Sequence, residues 1–255
     1  MKRVRIIPVL LIQEGGLVKS VKFRNHKYVG DPINAVKIFN EKEVDEIVLL
    51  DISATAEKRA PNIRQIKEIA SEAFMPLAYG GGITSITQIK ELITAGVEKV
   101  VLNSSAAAGA SLIGEGAKWV GSQSIVVSMD VKKNWLGKYK VYTHNGSKNT
   151  EQDPVDYARQ AEAAGAGEIF LNAIEKDGTF EGYDTTLIDL VSRAVNIPVV
   201  AVGGAGSVED FTVAVQHGAS AAAAGSLFVF QRPHRAVLIS YPGQPELKTK
   251  VFEKI

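Results

Sequence analysis

Eight short apolar runs, each followed by a longer amphipathic or polar stretch, occupy most of this chain. The runs cover residues 4–12, 46–53, 75–81, 99–104, 124–131, 168–174, 197–204 and 219–226. They are continuously apolar rather than alternating, the pattern of parallel strands buried on both faces. In the first helical stretch, DPINAVKIFNEK, Asp31 supplies an N-cap and Pro32 the first helical position. NIRQIKEIASEA, SITQIKELITAG, DPVDYARQAEAAGAG and SVEDFTVAVQHG follow the same logic, several ending at glycine. Eight β/α units in 255 residues predict an α/β fold, a closed (βα)8 TIM barrel forming one domain over 1–255. An open doubly wound sheet is the alternative.

The chain also repeats itself. Shifted by 122 positions, the segment from Asp31 overlies the segment from Asp153, and Pro76, Gly81, Gly82 and Gly96 meet Pro198, Gly203, Gly204 and Gly218. Two four-unit half-barrels, about 1–122 and 123–255, account for this. The first run aligns with the fifth at a slightly smaller offset, which sets Leu11 of RIIPVLLIQ opposite Asp130 of IVVSMDVKK. Residues 13–30 read as a long glycine-containing loop and 132–149 as a hairpin-like excursion. Both are expected at the C-terminal face, where barrels of this kind keep their chemistry.

Composition narrows the function. The net charge is +1, from 29 basic and 28 acidic residues, which argues against nucleic acid or another polyanion held by bulk charge. There is no cysteine, so disulfides and thiolate metal sites are excluded. The four histidines show no metal-ligand spacing, and no metal or redox cofactor is implied. No apolar run approaches the ~20 residues of a membrane span. The start, MKRVRIIPVL, lacks a small-residue cleavage site, so a soluble cytoplasmic protein is expected.

Candidate site residues fall at strand ends. YGGGITS, with Gly81 and Gly82, and VGGAGSV, with Gly203 and Gly204, put glycines between a strand and a helix. Backbone N–H groups and a helix N-terminus there favour an anion. Asn103 and Ser104 in LNSSA, and Gly225 and Ser226 in AAGSL, follow the next strands. Two equivalent clusters suggest a ligand with two phosphates. Asp51, Asp130 and Asn172 are expected to line the pocket, as is Asn103; Asp177 in EKDGT is either a pocket residue or a turn aspartate. Arg5, Glu46, Lys99 and Glu168 lie at the opposite strand ends. From spacing alone they read better as four solvated charges than as a ring at the barrel base.

With RIIPVL, LVKS, GDP, LLDIS, PLAYGGGI, VLNSSA, MDVKK, YTHNG, GAGEIFLN, DGTFEGYD and IPVVAVGGAG in place, the chain resembles the cyclase subunit family of imidazole glycerol phosphate synthase, over residues 3 to about 230. The resemblance implies a two-fold-symmetric (βα)8 barrel that binds a substrate with a phosphate at each end. It implies a glutaminase subunit docked on the N-terminal face and ammonia travelling through the barrel. It makes Arg5, Glu46, Lys99 and Glu168 a charged gate, places Glu98 near the glutaminase contact, and gives Lys19 and Asp130 catalytic roles. The family pairs two aspartates as general acid and base, and the first falls on Leu11. Loss of such a group typically costs ~10²–10⁴-fold. Val202 stands where a serine is expected, and Asn172 and Ala173 where threonine and serine are. Glu14 is the only carboxylate near Leu11, in the wrong register. The tail RPHRAVLISYPGQPELKTK, 232–250, is similar instead to cyclase-like paralogues of surface-polysaccharide gene sets. Those act with a glutaminase and a separate sugar amidotransferase to place an amide or amidine on an acetamido sugar. The expectation is therefore an ammonia-delivering subunit. A genuine cyclase is the alternative, and a scaffold that only activates a glutaminase a third reading.

Overall fold

The structure, a computed structural model, describes residues 3–231 and 233–255. Met1, Lys2 and Arg232, the first residue of the divergent tail segment, lie outside the described residues. Eight parallel strands close on themselves: β1 (Arg5–Gln13), β2 (Ile47–Asp51), β3 (Leu77–Gly80), β4 (Lys99–Leu102), β5 (Ile125–Lys133), β6 (Glu168–Ala173), β7 (Val199–Val202) and β8 (Ala221–Ala224). β8 pairs with β1 and β5 with β6, so no barrel edge is left open. The open doubly wound sheet is thereby excluded.

Each strand sends alternate side chains inward. Ile7, Val9, Val48, Val101, Val126, Phe170 and Val200 fill the barrel with the small Ala78, Ala221 and Ala223. The other parity packs outward against α1 (Pro32–Glu41), α2 (Ile63–Ala70), α3 (Ile86–Thr94), α4 (Ser111–Val120), α5 (Pro154–Ala164), α6 (Thr185–Ser192) and α7 (Glu209–Gln216). Burial on both faces explains why these strands are continuously apolar. The expected caps form: the Asp31 carboxylate accepts from Asn34 N, that of Asp153 from Val155 N, and Ser85 with Gln88 makes a capping box. At α7 the cap differs. Ser207 does not cap; the Asp210 carboxylate accepts from Gly206 N at 2.7 Å and Ser207 N at 2.9 Å.

One segment departs from the sequence reading. Residues 13–30 are not a loop but two antiparallel strands, Gly16–Val21 and Arg24–Gly30, that continue β1 above the barrel. Lys22 and Phe23 make the turn with φ of 51° and 61°. Two consecutive positive φ values define the tight hairpin turn that glycine and asparagine normally provide, so the sequence carried no turn signal there. The excursion after β5 is a hairpin as expected, with Lys133 opposite Tyr139 and Asp130 opposite Tyr142.

The tail runs down the outside of the barrel. Arg235 lies over the Phe180 and Phe230 rings near the C-terminal mouth. Further on, Tyr241 donates to Ile6 O at 2.9 Å, and Leu247, Val251 and Phe252 are buried near the N-terminal end. No helix among the described residues is long and apolar enough to cross a membrane.

Candidate functional site

At the N-terminal end, barrel closure brings four charges together. Arg5 donates to Glu46 and to Glu168, one carboxylate per arm of its guanidinium. Lys99 Nζ donates to Glu46 at 2.9 Å and to Glu168 at 3.0 Å. The result is a ring in which each cation bridges both anions. The glutamate side chains are only 4% and 7% exposed, Lys99 20% and Arg5 32%. Burial opposes the Arg5 charge, but its bonds to Glu168 and Glu46 outweigh it and hold its pKa above the usual value. Spacing alone favoured four solvated charges, whereas the closed barrel makes them meet. Glu98 lies next to Lys99, exposed on the same face.

At the opposite end the strands open into a cavity. Leu11, Lys19, Asp51, Gly81, Gly82, Asn103, Ser104, Asp130, Asn172, Asp177, Gly225 and Ser226 line it. Of the candidate residues of the mouth, Gly203 and Gly204 do not. Sequence reasoning missed Phe23, His26, His144 and Asn145, which also line the cavity from the two hairpins.

Leu11 is the positional counterpart of Asp130. Leu11 pairs with Leu50 across β1 and β2; Asp130 pairs with Asn172 across β5 and β6. Leu50 and Asn172 are themselves 122 positions apart. Asp130 Oδ2 accepts from Asn103 Nδ2 at 3.0 Å. Burial pushes this carboxyl up to about 7, with the Asp177 charge adding to the effect and Asn103 and Asn172 opposing it. Burial likewise raises Asp177 to about 6, against Lys19, Ser20 and Arg235. Lys19, 4% exposed, bonds to Val9 O, and burial lowers its ammonium to about 8 against the pull of Asp177. A carboxyl near 7 and an amine near 8 are both poised to exchange protons at neutral pH.

Asp51 is differently engaged. Its carboxylate accepts from Ser53 N, Ala54 N and the Arg59 guanidinium at 3.0–3.1 Å, so it shapes the loop after β2. Gly81 depends on that loop. At φ +120° its missing Cβ would lie 2.3 Å from Asp51 O, so Gly81→Ala is expected to destabilise the fold by about 2 kcal/mol or more. Urea unfolding checks this against Gly109→Ala, where nothing lies within 4 Å of the added carbon and the backbone is extended.

A parallel eight-stranded barrel, charged at its base and carrying proton-exchanging groups in its mouth, has the architecture of a (βα)8 barrel enzyme or of an enzyme-complex subunit. Comparison with known proteins narrows the class. Residues 5–233 match the family described as histidine biosynthesis protein. The chain belongs to that family. It is 49% identical over 243 residues to a Pseudomonas aeruginosa protein provisionally named imidazole glycerol phosphate synthase subunit hisF2, covering 95% of this chain and 97% of that one. A Vibrio vulnificus protein provisionally named as subunit hisF3 is 49% identical over 255 residues, covering 99% and 98%. The imidazole glycerol phosphate synthase subunit HisF of Alkaliphilus metalliredigens is 44% identical over 225 residues, covering 88% and 89%. The chain is thus similar to imidazole glycerol phosphate synthase subunits, and over more of its length to the two provisionally named ones.

Proposed function

We propose that this chain is the ammonia-conducting barrel of a glutamine amidotransferase complex, serving amidation or amidination of an acetamido sugar in surface-polysaccharide (lipopolysaccharide O-antigen) synthesis. The observation that carries this reading is Leu11 standing where the mouth would need a second carboxylate, above an intact ring of charge. Closing an imidazole ring requires several proton transfers, and leucine transfers none. Conduction needs only the ring and the interior above it, and that interior is lined by valine, alanine, isoleucine and one phenylalanine. Neutral ammonia crosses an apolar layer that an ammonium ion does not, because an unpaired charge in such surroundings costs far more than a neutral amine. A glutaminase docks on the N-terminal face, the end of the barrel that carries the exposed Glu98 and the 87%-exposed Phe74. A sugar amidotransferase is the further partner.

The second reading, a genuine cyclase of histidine biosynthesis, draws on Asp130, Asp177 and Lys19, which remain in the mouth. Supplying the histidine-pathway substrate with excess ammonium salt and no partner separates the two. The expected result is turnover at least ~10²-fold below an ordinary enzyme's ~1–10³ s⁻¹. Turnover in the ordinary range would establish the cyclase. In the assembled complex, Arg5→Ala is expected to leave glutamine hydrolysis intact while ammonia escapes to bulk solvent instead of reaching the acceptor. Unchanged coupling would instead favour a scaffold that only activates its partner.

A further inference from the structure

The C-terminal face carries charge that the chain itself does not neutralise. The two hairpins over the mouth, 14–30 and 131–152, hold nine basic and two acidic residues, against 29 and 28 for the whole chain. Among the described residues none of the nine forms a salt bridge. The hairpins touch: a Cβ on Gly146 would lie 3.2 Å from the Phe23 ring. Lys22 N donates to Asp177 O at 2.9 Å and ties the first hairpin across the mouth. Its outer strand, Arg24–Gly30, pairs only with Gly16–Val21, and residues 24–28 are all exposed. Cations on such an edge deter strand addition, so what meets this face meets its charge.

Beside the charge stands one apolar point. The turn at 134–137 lies four residues and more past Asp130, on the order of 15 Å of extended chain. There Trp135 and Leu136 are 90% and 58% exposed. The turn is fixed. Asn134 Oδ1 accepts from Leu136 N and Lys138 N, both at 3.0 Å, and Gly137 N donates to Asn134 O at 2.9 Å. The stem is braced between β6 and α6, where Glu175 accepts from Lys133 N at 3.3 Å and Tyr139 OH donates to Asp184 at 2.8 Å. An indole held in water exposes a large apolar area. Held on a rigid turn, it is the kind of side chain that anchors an interface, because docking orders little that was free.

We infer that this face docks the sugar amidotransferase of the complex, an enzyme with an acidic rim around an apolar cleft that takes in Trp135 and Leu136 and closes over the mouth. This rests on the proposed function, and gives that partner its place on this chain. Ammonia that leaves the mouth into neutral water is protonated and stops being a nucleophile, as any amine does below its pKa. Leu11 leaves no ring closure to consume it in the mouth, so the acceptor site has to sit against the exit. A second copy of this chain fits poorly, because it would set one basic face against another.

Calorimetry of the chain–glutaminase complex with the purified sugar amidotransferase tests this. Trp135→Ser is expected to weaken binding about thirtyfold or more, the loss of an interface anchor. Arg24→Glu with Lys138→Glu is expected to slow association and flatten its salt dependence. In a chain labelled with 5-fluorotryptophan, only Trp119 and Trp135 give fluorine resonances. The amidotransferase should move that of Trp135 and leave that of Trp119 in place. The inference is overturned, with the proposed function standing, if the amidotransferase binds while Trp135→Ser binds as the parent does and the Trp135 resonance stays put. It is overturned too if light scattering shows a dimer that Trp135→Ser makes monomeric. No binding at all also overturns it, and takes the proposed function with it only if Arg5→Ala leaves coupling unchanged.

Discussion

Glu168→Ala is expected to destabilise the protein by about 3–5 kcal/mol at pH 7. The change removes one of two anions that Arg5 and Lys99 share, and both cations are held largely out of water. Removing one partner of a buried ion pair costs more than the pair contributes, because the remaining charges stay desolvated and lose their neutralisation. Here two cations would compete for Glu46 alone. For a chain of this size the midpoint of thermal unfolding should fall by on the order of 10 °C. Lys176→Ala is the contrast, since its partner Glu181 is 3.6 Å away and well exposed; that pair is worth at most about 1 kcal/mol. A Glu168 loss no larger than the Lys176 loss would mean that water screens the ring as it screens an ordinary surface pair.

Asp130→Asn is expected to act in the opposite direction and to depend on pH. The folded carboxyl titrates at about 7 against 3.8 as its ordinary value. A group whose pKa rises on folding costs nothing below its unfolded pKa. Its penalty grows as pH rises, and is complete above the folded pKa. Asparagine keeps the shape and carries no charge to desolvate. The variant should therefore be more stable than the parent by under about 1 kcal/mol at pH 4, widening to on the order of 3 kcal/mol at pH 8, with allowance for water in the mouth. Asp177 and Lys19 shift in the same region, with Lys19 of opposite sign, its cost present below about 8 and relieved as pH rises further. Both groups remain in parent and variant, so they largely cancel in the difference. Thermal unfolding of both proteins at several pH values gives the curve. A difference that does not change with pH would mean that Asp130 is solvated like an ordinary aspartate.

The barrel was legible because its signals are local. All eight strands fall within two residues of the apolar runs, since a strand buried on both faces is apolar through most of its length and carries its few charged residues toward its ends. Asp31, Asp153 and Ser85 announced their helices by side-chain chemistry that acts within one turn. The ring was not legible. Arg5, Glu46, Lys99 and Glu168 come from four strands, and only closure of the sheet, with all four on the inward parity, turns spacing into contact. The hairpin at 16–30 was missed because Lys22 and Phe23 adopt a turn that neither residue favours. The covering of Gly203 and Gly204 was hidden for a related reason. Glycine spelling is identical whether the backbone faces a ligand or the next loop, as Gly182 on Gly204 shows.

The ring also fixes which pieces can make this molecule. Strands β1, β2 and β4 supply Arg5, Glu46 and Lys99, whereas among β5–β8 only β6 contributes, with Glu168. Two copies of the first four strands, closed into a barrel, would bury two surplus positive charges at the base, and two copies of the last four would bury two negative ones. Charge balance is met only by one of each. Read as two half-barrels, the molecule thus needs both halves to keep its base neutral.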